Sequence, residues 1–454
     1  MKQAHERTYK RDSRKQNAPL MVKKSFRIVL VFLAQSRPMP HFPESPVHWV
    51  LDRYLKNTHL IQYGYLSRMK RFACGILFLI GWMPLTAQVR LSPEAQISVI
   101  TCGPDTRELY AAFGHSAIRV YDPANGLDEA FNYGVFNFNQ PNFYLNFAKG
   151  FLYYKLGVYS YPDFEAYYLQ NDRYVHEQVL RLTADQKERL FQFLIWNAQP
   201  ENQNYRYQYY QNNCASKIRD VLETQLGDAV QWDSTFVQTG DSFRDKTDEY
   251  LDQLPWGDLG IDICLGLPID RTMYAREFMF LPDYVEQFVD HAKIRSDSGW
   301  VSLVADKRVL DKPVIKSGVA FVHPWIAFGF LFAAVAAITL FDWKRKQLST
   351  WLDVAVFGIT GLIGCLLLAL WMFTDHQDAA RNFNLLWAFP LHLVGAVLAF
   401  RKTSTWAKKY FQFAFVLTAL LMASWWLMPQ ALNPFLVPVA ASILARAAIN
   451  SKLR

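Results

Sequence analysis

Cysteine is sparse in this chain, and what there is has no metal-ligand spacing. The five cysteines are Cys74, Cys102, Cys214, Cys264 and Cys365. None forms a CxxC pair or falls into a Cys/His pattern, which excludes a structural zinc module. Charge is scarce in the last third, where residues 317–449 are largely apolar, as membrane spans are. Internal repeats and low-complexity tracts are absent, so solenoid and compositionally biased architectures are excluded. A basic domain is missing too, despite the formal net charge of +8. Residues 1–68 hold 13 Lys/Arg against 4 Asp/Glu, which leaves the rest of the chain near neutral. That basic excess lies outside the regions that read as folded, and nucleic acid is excluded as a partner on this ground.

What is present begins with "MKRFACGILFLIGWMPLTAQ", residues 69–88. Basic residues, then about a dozen apolar ones, then small ones make the pattern of a secretory signal peptide. Translation is therefore expected to start at Met69, with cleavage near Gln88 and residues 1–68 as an upstream extension. The alternative is a signal anchor with a cytoplasmic tail. Five apolar stretches end the chain, at about 320–341, 354–373, 385–400, 411–428 and 435–449, and several approach the roughly 20 residues a crossing helix needs. The third and fifth carry Pro390 and Pro438 and read as tilted or interrupted. Basic residues cluster at 344–346, at 401–402 with 408–409, and at Arg446, Lys452 and Arg454. Such clusters mark cytoplasmic loops. An odd number of spans then puts residues 89–316 on the far side of the membrane, where a cleaved signal also sends them. A domain of residues 89–316 followed by a membrane domain of 317–454 is the expected organisation.

The loop "FTDHQDAARNFNLLWAFPLH", 373–392, faces the same side as the soluble domain. Asp375 and His376 sit at a span end beside Asn382 and Asn384. They read either as an interfacial polar loop anchored by Trp387, or as a loop that meets the soluble domain and lines a site at the membrane surface.

In the soluble part, "QISVITCG" (96–103), "HSAIRVYD" (115–122), "EAFNYGVF" (129–136), "LYYKLGVYS" (152–160) and "YVHEQVLRL" (174–182) have strand character. Gly157 inside the fourth weakens it or marks a bulge. "DTRELYAAFG" (105–114) reads as a short helix capped by Asp105, and "PDFEAYYLQND" (162–172) as another. Thr183 and Gln186 make a capping box for the helix that follows. Antiparallel strands with helices around them define an α+β domain. The aromatic run "NFYLNFAKGFLYY", 142–154, fits either a core or an acyl groove.

"YQNNCASKIRDVLETQLG" ends in a helix. Ile218, Val221, Leu222 and Leu226 share one face, with Gly227 as the stop and Asn212 or Asn213 as the cap. Cys214 falls in the first turn, where free N–H groups and the helix dipole favour a thiolate and are expected to lower the thiol pKa. A packing cysteine is the alternative. A nucleophile needs a proton shuttle. His176 and His291 read as surface residues, whereas His115 opens a strand directly after Gly114, which makes it the candidate base. Asn132 on the next strand is the candidate to orient the ring, with Tyr133 in its place should the hairpin slip by one residue. Of the three soluble cysteines, Cys102 and Cys264 can pair and leave Cys214 free, but spacing does not decide it.

The segments "ITCGPDTRELYAAFGHSAIRVYD", "FNYGVFNFNQPNFYLNFAKG", "YQNNCASKIRDVLE" and "TDHQDAARNFNLLWAFPLHL" resemble the lipoprotein N-acyltransferase (Lnb-type) family of Gram-negative Bacteroidota over about 90–450. The order of "GHS" before "NNCA" is also similar to the permuted papain-like fold of lecithin:retinol acyltransferase-like enzymes. Those relatives use a second histidine where this chain has Asn132 or Tyr133. The resemblance implies a multi-pass protein of the inner (cytoplasmic) membrane with its catalytic domain in the periplasm. It implies a phospholipid as acyl donor and a diacylglyceryl-lipoprotein as acceptor, with Cys214 and His115 as the catalytic pair and Asn213 beside the thiol. Neither metal nor organic cofactor is expected. The rival readings are a periplasmic cysteine peptidase or amidase acting on cell-wall peptide, and a non-enzymatic membrane receptor or transporter subunit in which Cys214 is structural.

Overall fold

The computed structural model describes residues 90–136, 141–310, 322–401 and 404–454. The expected signal segment 69–88, the extension 1–68 and Cys74 lie outside these residues.

The first strands are β1 (Gln96–Cys102), β2 (His115–Asp122) and β3 (Leu127–Phe136). They are followed by α1 (Phe143–Ala148), β4 (Tyr153–Ser160), α2 (Tyr161–Gln170), β5 (Val175–Leu180), α3 (Ala184–Asn197) and β6 (Asn204–Arg206). Next come α4 (Cys214–Leu226), β7 (Val230–Gln231), α5 (Phe243–Leu251), α6 (Pro255–Cys264) and α7 (Pro282–His291). The soluble part closes with β8 (Lys293–Ser296), β9 (Gly299–Ser302) and β10 (Val304–Leu310).

Seven strands form one antiparallel sheet in the order β10-β5-β1-β2-β3-β4-β6. β1 is buried over both faces because helices cover both sides. On one face Ile97, Val99, Ile118, Val120 and Phe131 pack against Leu190, Phe191 and Leu194 of α3 and Ala215, Ile218 and Leu222 of α4. On the other, Ile100, Ala117, Ala130 and Val175 meet Tyr161, Phe164 and Tyr168 of α2. The strand period of two separates these sets, so each strand residue's parity states which helix layer it meets.

Most of the expected elements are present, with one correction near the site. The stretch 105–114 contains only a 3-10 turn over Leu109–Ala111, and Asp105 does not cap it. Its carboxylate instead accepts from the Arg107 backbone N–H and pairs with the Arg107 guanidinium. The bulge in the β3–β4 ladder falls between Asn132 and Val135, next to the Asn132–Gly157 pair.

The helical region has α8 (Pro324–Arg345), α9 (Thr350–Phe373), α10 (His392–Leu398), α11 (Thr405–Ser424) and α12 (Val437–Leu453). Among the described residues, four helical stretches, Pro324–Arg345, Thr350–Phe373, Thr405–Leu427 and Pro434–Leu453, are long and apolar enough to cross a membrane. The expected third span is not one helix. It is a 3-10 turn over Phe383–Leu386, then Pro390, then the seven residues of α10. It still runs the length of the bundle. Asn382 donates to Ile263 O at the soluble-domain end, and Arg401 O accepts from Arg454 at the other. Proline removes the N–H that a continuous helix would need there, and His392 bonds to the Tyr410 hydroxyl at 2.6 Å across to α11.

Two further expectations are corrected here. Trp387 is no interfacial anchor: it is buried, with its indole N–H on Asn384 Oδ1 at 2.7 Å. Arg446 is not a solvated flank either. It is buried between α8 and α9 and paired with Asp342 at 2.9 Å and Asp353 at 2.7 Å. Buried charges are retained only when paired and hydrogen-bonded.

The soluble and helical parts are joined by polar side chains on backbone carbonyls and on an acidic seam. Asn382 and Asn384 donate to Ile263 O and Asp262 O of α6, both at 2.8 Å. Asn433 donates to Asp258 and Asp262, Gln430 to Leu265 O, and Trp256 of α6 to Val322 O. Arg244 is buried beneath this seam between Asp262 and Asp270.

Candidate active site

Cys214 is the first residue of α4, and the chain there is arranged around Asn213. The Asn213 side chain accepts from the Ser216 N–H at 2.9 Å, and the Asn213 N–H donates to Ser216 Oγ at 2.7 Å. This reciprocal cap satisfies two of the helix's orphan donors. The Asn213 amide N–H₂ also reaches Tyr209 O and Phe280 O. The cap is therefore Asn213, while Asn212 bonds to Arg206 O. Asn213 is buried, and Cys214 is half-buried.

His115 opens β2 opposite Cys102 of β1. Parity puts it on the α2 face, with its ring stacked on Tyr168 at 6.1 Å between centroids and near Phe164. Asn132 shares that face. Its Oδ1 accepts from His115 Nε2–H at 2.5 Å. In this tautomer Nδ1 carries a lone pair and can accept a proton. Tyr133 points the other way, as alternation requires, and its hydroxyl donates to Asn197 Oδ1 at 2.6 Å.

Gly134 lies beside both Cys214 and the His115 ring. A Cβ placed on it would stand 3.3 Å from Cys214 Cβ and 3.8 Å from His115 Cε1. Its φ is +94°, within the range that favours glycine. The bulge at Asn132/Val135 and this glycine turn the end of β3 aside, so that the N-terminus of α4 can reach a residue on the opposite face of the sheet.

The electrostatics differ from the expectation of a lowered thiol pKa. Burial pushes the Cys214 thiol up to about 11, although the backbone N–H groups of Ser116, Ala215 and Cys214 itself pull the other way. Burial likewise takes His115 down to about 4, against the bond from Asn132, and the positive charge of Arg173 adds to the depression. The helix terminus supplies the expected donors, but apolar walls penalise both charged forms and decide the balance. At neutral pH the resting pair is a neutral thiol beside a neutral imidazole. The N–H groups aimed at the sulfur then act when charge develops. Together these features define a membrane-associated α+β protein with a Cys–His–Asn constellation.

Residues not singled out in the sequence complete the surroundings. Arg173 is buried, with its Nε donating to Gly103 O at 2.5 Å and its guanidinium 4.6 Å from the centroid of Tyr168. Arg173, Tyr168 and His115 thus form a stack. Gly134 had a signal, since glycine inside a strand marks a bulge or a close approach. Tyr168 and Arg173 had none, because they arrive from α2 and the turn before β5.

The other candidate residues lie elsewhere. Asp375 and His376 contact α1 and the residues that follow it: the Asp375 N–H donates to Lys149 O at 2.8 Å, Asp375 pairs with Arg206, and His376 Nε2 bonds to Phe147 O at 3.0 Å. His176 bonds to Glu286, and His291 to Gln287 O. The Cys102 and Cys264 thiols are both free, one in the sheet core and the other at the end of α6.

Comparison with protein families agrees with this architecture. Residues 88–244 match the model of the Lnb N-terminal periplasmic domain, and residues 316–454 that of the Lnb transmembrane domain. The two cover most of the chain, in the order found here, and the chain belongs to the Lnb-type lipoprotein N-acyltransferase family. No curated protein and no solved structure matches it significantly.

Proposed function

We propose that this chain moves an acyl group from a membrane phospholipid, through a thioester on Cys214, to the N-terminal cysteine amine of a diacylglyceryl-lipoprotein. It does so at the periplasmic face of the inner membrane. The observation that carries the reading is the approach of both Cys214 and His115 to one glycine, Gly134, with Asn132 bonded to Nε2 of the ring.

His115 Nδ1 takes the proton from Cys214 Sγ as the sulfur attacks the ester carbonyl. The new C–S bond places a negative charge on the carbonyl oxygen. N–H groups of Ser116, Cys214 and Ala215 lie beside the sulfur, and preorganised donors of this kind contribute about 3–4 kcal/mol. The C–O bond breaks, and the lysophospholipid leaves with the proton held by His115. The lipoprotein amine then attacks the thioester and gives its proton to the same nitrogen. The amide forms, the C–S bond breaks, and the sulfur recovers its proton. Asn132 keeps one tautomer throughout, and Asn213 holds the α4 terminus. Asp375 and His376 support the site from the membrane side by fixing α1. Direct attachment of the domain to a five-pass bundle favours lipid substrates over cell-wall peptide, which would need no such anchoring.

The test is mass spectrometry of the full chain after incubation with phospholipid vesicles and no acceptor. A hydroxylamine-sensitive acyl adduct on Cys214 is expected, cleared by a diacylglyceryl lipopeptide and absent in His115→Ala. A silent thiol, together with full lipopeptide acylation by Cys214→Ser, sinks the proposal.

A further inference from the structure

The soluble domain carries a patch that the chemistry above does not use. Tyr144 and Leu145 of α1 are 67% and 53% exposed, and Phe151 and Tyr153 just after it are also exposed. Exposed large apolar residues grouped in one short segment mark an interaction surface. The question is what covers them.

Their height answers it. α1 is fixed to the loop that leaves α9 by the Asp375–Lys149 and His376–Phe147 bonds and by the Arg206–Asp375 pair. The fit at Gly150 is close: a Cβ there would stand 2.7 Å from the Asp375 carbonyl carbon and the His376 nitrogen, and its φ is +81°. α9 crosses the apolar region and ends at Phe373, which is 80% exposed, only two residues before Asp375. The aromatic segment is therefore level with the end of a span, where amphipathic rings sit against lipid. Lys149 is exposed beside it, a cation suited to lipid phosphate.

The same segment leads inward. Tyr153 pairs with Arg206 of β6, and the Arg206 guanidinium lies 5.7 Å from the Phe151 ring. The next ring, Tyr154, stacks on Tyr207 at 4.2 Å. Both of these phenols lie near Cys214. The strand that follows the exposed patch thus carries rings that lie near the thiol.

We infer that residues 141–153 enter the outer leaflet of the anchoring membrane and that the rings following them deliver a phospholipid chain to Cys214. The leaflet contact stands on geometry alone, whereas the delivery step rests on the acyl-transfer reading. The full chain is reconstituted in phosphatidylethanolamine/phosphatidylglycerol vesicles containing a phospholipid with a diazirine in its acyl chain. Photolysis is expected to leave adducts on peptides covering 141–153 as well as on the spans. Adducts confined to 322–454 overturn the inference, whatever happens at Cys214. In the second arm, Tyr144→Asp/Leu145→Asp is expected to slow Cys214 acylation from vesicles roughly tenfold or more. Acylation from a water-soluble short-chain phospholipid and alkylation of Cys214 by iodoacetamide stay unchanged. Equal rates with both donors overturn the delivery step. So does a defect limited to transfer onto the lipopeptide, which would assign the patch to the acceptor's polypeptide. Absence of any adduct on wild-type Cys214 from either donor counts against the acyl-transfer reading and leaves the photolabelling result standing.

Discussion

Replacing Gly134 by alanine probes the backbone that lies beside both thiol and imidazole. The backbone there has φ of +94°, and an L-residue in such a conformation costs about 1–2 kcal/mol. The added methyl would also stand 3.3 Å from Cys214 Cβ, so the thiol carbon must retreat by a few tenths of an ångström. It would stand 3.8 Å from His115 Cε1, which is ordinary contact, so the strain falls on the cysteine side. For a domain of this size the backbone cost lowers the melting temperature by about 2–8 °C. A misplacement on the order of 1 Å costs roughly a hundredfold in rate, so a shift of a few tenths of that predicts a loss of roughly four- to tenfold. The assay is single-turnover acylation of Cys214 from phospholipid vesicles, beside thermal unfolding of the same sample. Wild-type acylation by Gly134→Ala, whether or not its melting point falls, would refute the contact as described.

The resting charge state gives a second test. With His115 near 4 and Cys214 near 11, only about one thiol in ten thousand is ionised at pH 7. Iodoacetamide alkylation of Cys214 should therefore be slow at neutrality and climb up to about pH 11, while acyl transfer, which needs neutral His115, falls only as pH drops towards about 4. A plateau of alkylation between pH 5 and 8 that disappears in His115→Ala would reveal a resting thiolate–imidazolium pair and contradict this balance. Asn132→Ala leaves the buried Nε2–H without its acceptor, which costs about 1–3 kcal/mol; kcat should fall roughly five- to a hundredfold with little change in KM for phospholipid, and a loss expressed only in KM would remove Asn132 from ring positioning. Arg446→Met strands Asp342 and Asp353 inside the bundle, a loss of about 3–5 kcal/mol, read as earlier thermal aggregation in detergent; the triple change with Asp342→Asn and Asp353→Asn should recover much of it.

Much of the site could be read from the order of residues because it depends on local rules. Ile218, Val221, Leu222 and Leu226 share a helix face in any context, and an asparagine before such a run is a cap. Strand alternation limits the ring partner to Asn132 or Tyr133, and the β2–β3 register, which the sequence left open, puts Asn132 on the His115 face and Tyr133 on the other. The thiol pKa was not legible, since it is decided by walls that come from distant segments. Tyr168 of α2 and the rings of Tyr154 and Tyr207 exclude water there, and no spacing rule links them to Cys214. The edge strand β10 was missed for a similar reason, because Val304–Leu310 is mostly exposed and pairs only with β5. Arg446 was misplaced because a basic residue near a chain end reads as solvated until its partners, about 100 positions away, are known.

The junction made by Asn382, Asn384, Asn433 and Trp256 has a kinetic consequence. A head bolted to its bundle at several points cannot swing out to sample the aqueous compartment. On the acyl-transfer reading, Cys214 stays within a fixed stratum, and lipid substrates meet it by lateral diffusion in two dimensions. The quantity that governs encounter is then the surface mole fraction of each lipid rather than bulk molarity, and diluting the bilayer with inert lipid starves the protein even when total substrate in the tube is unchanged.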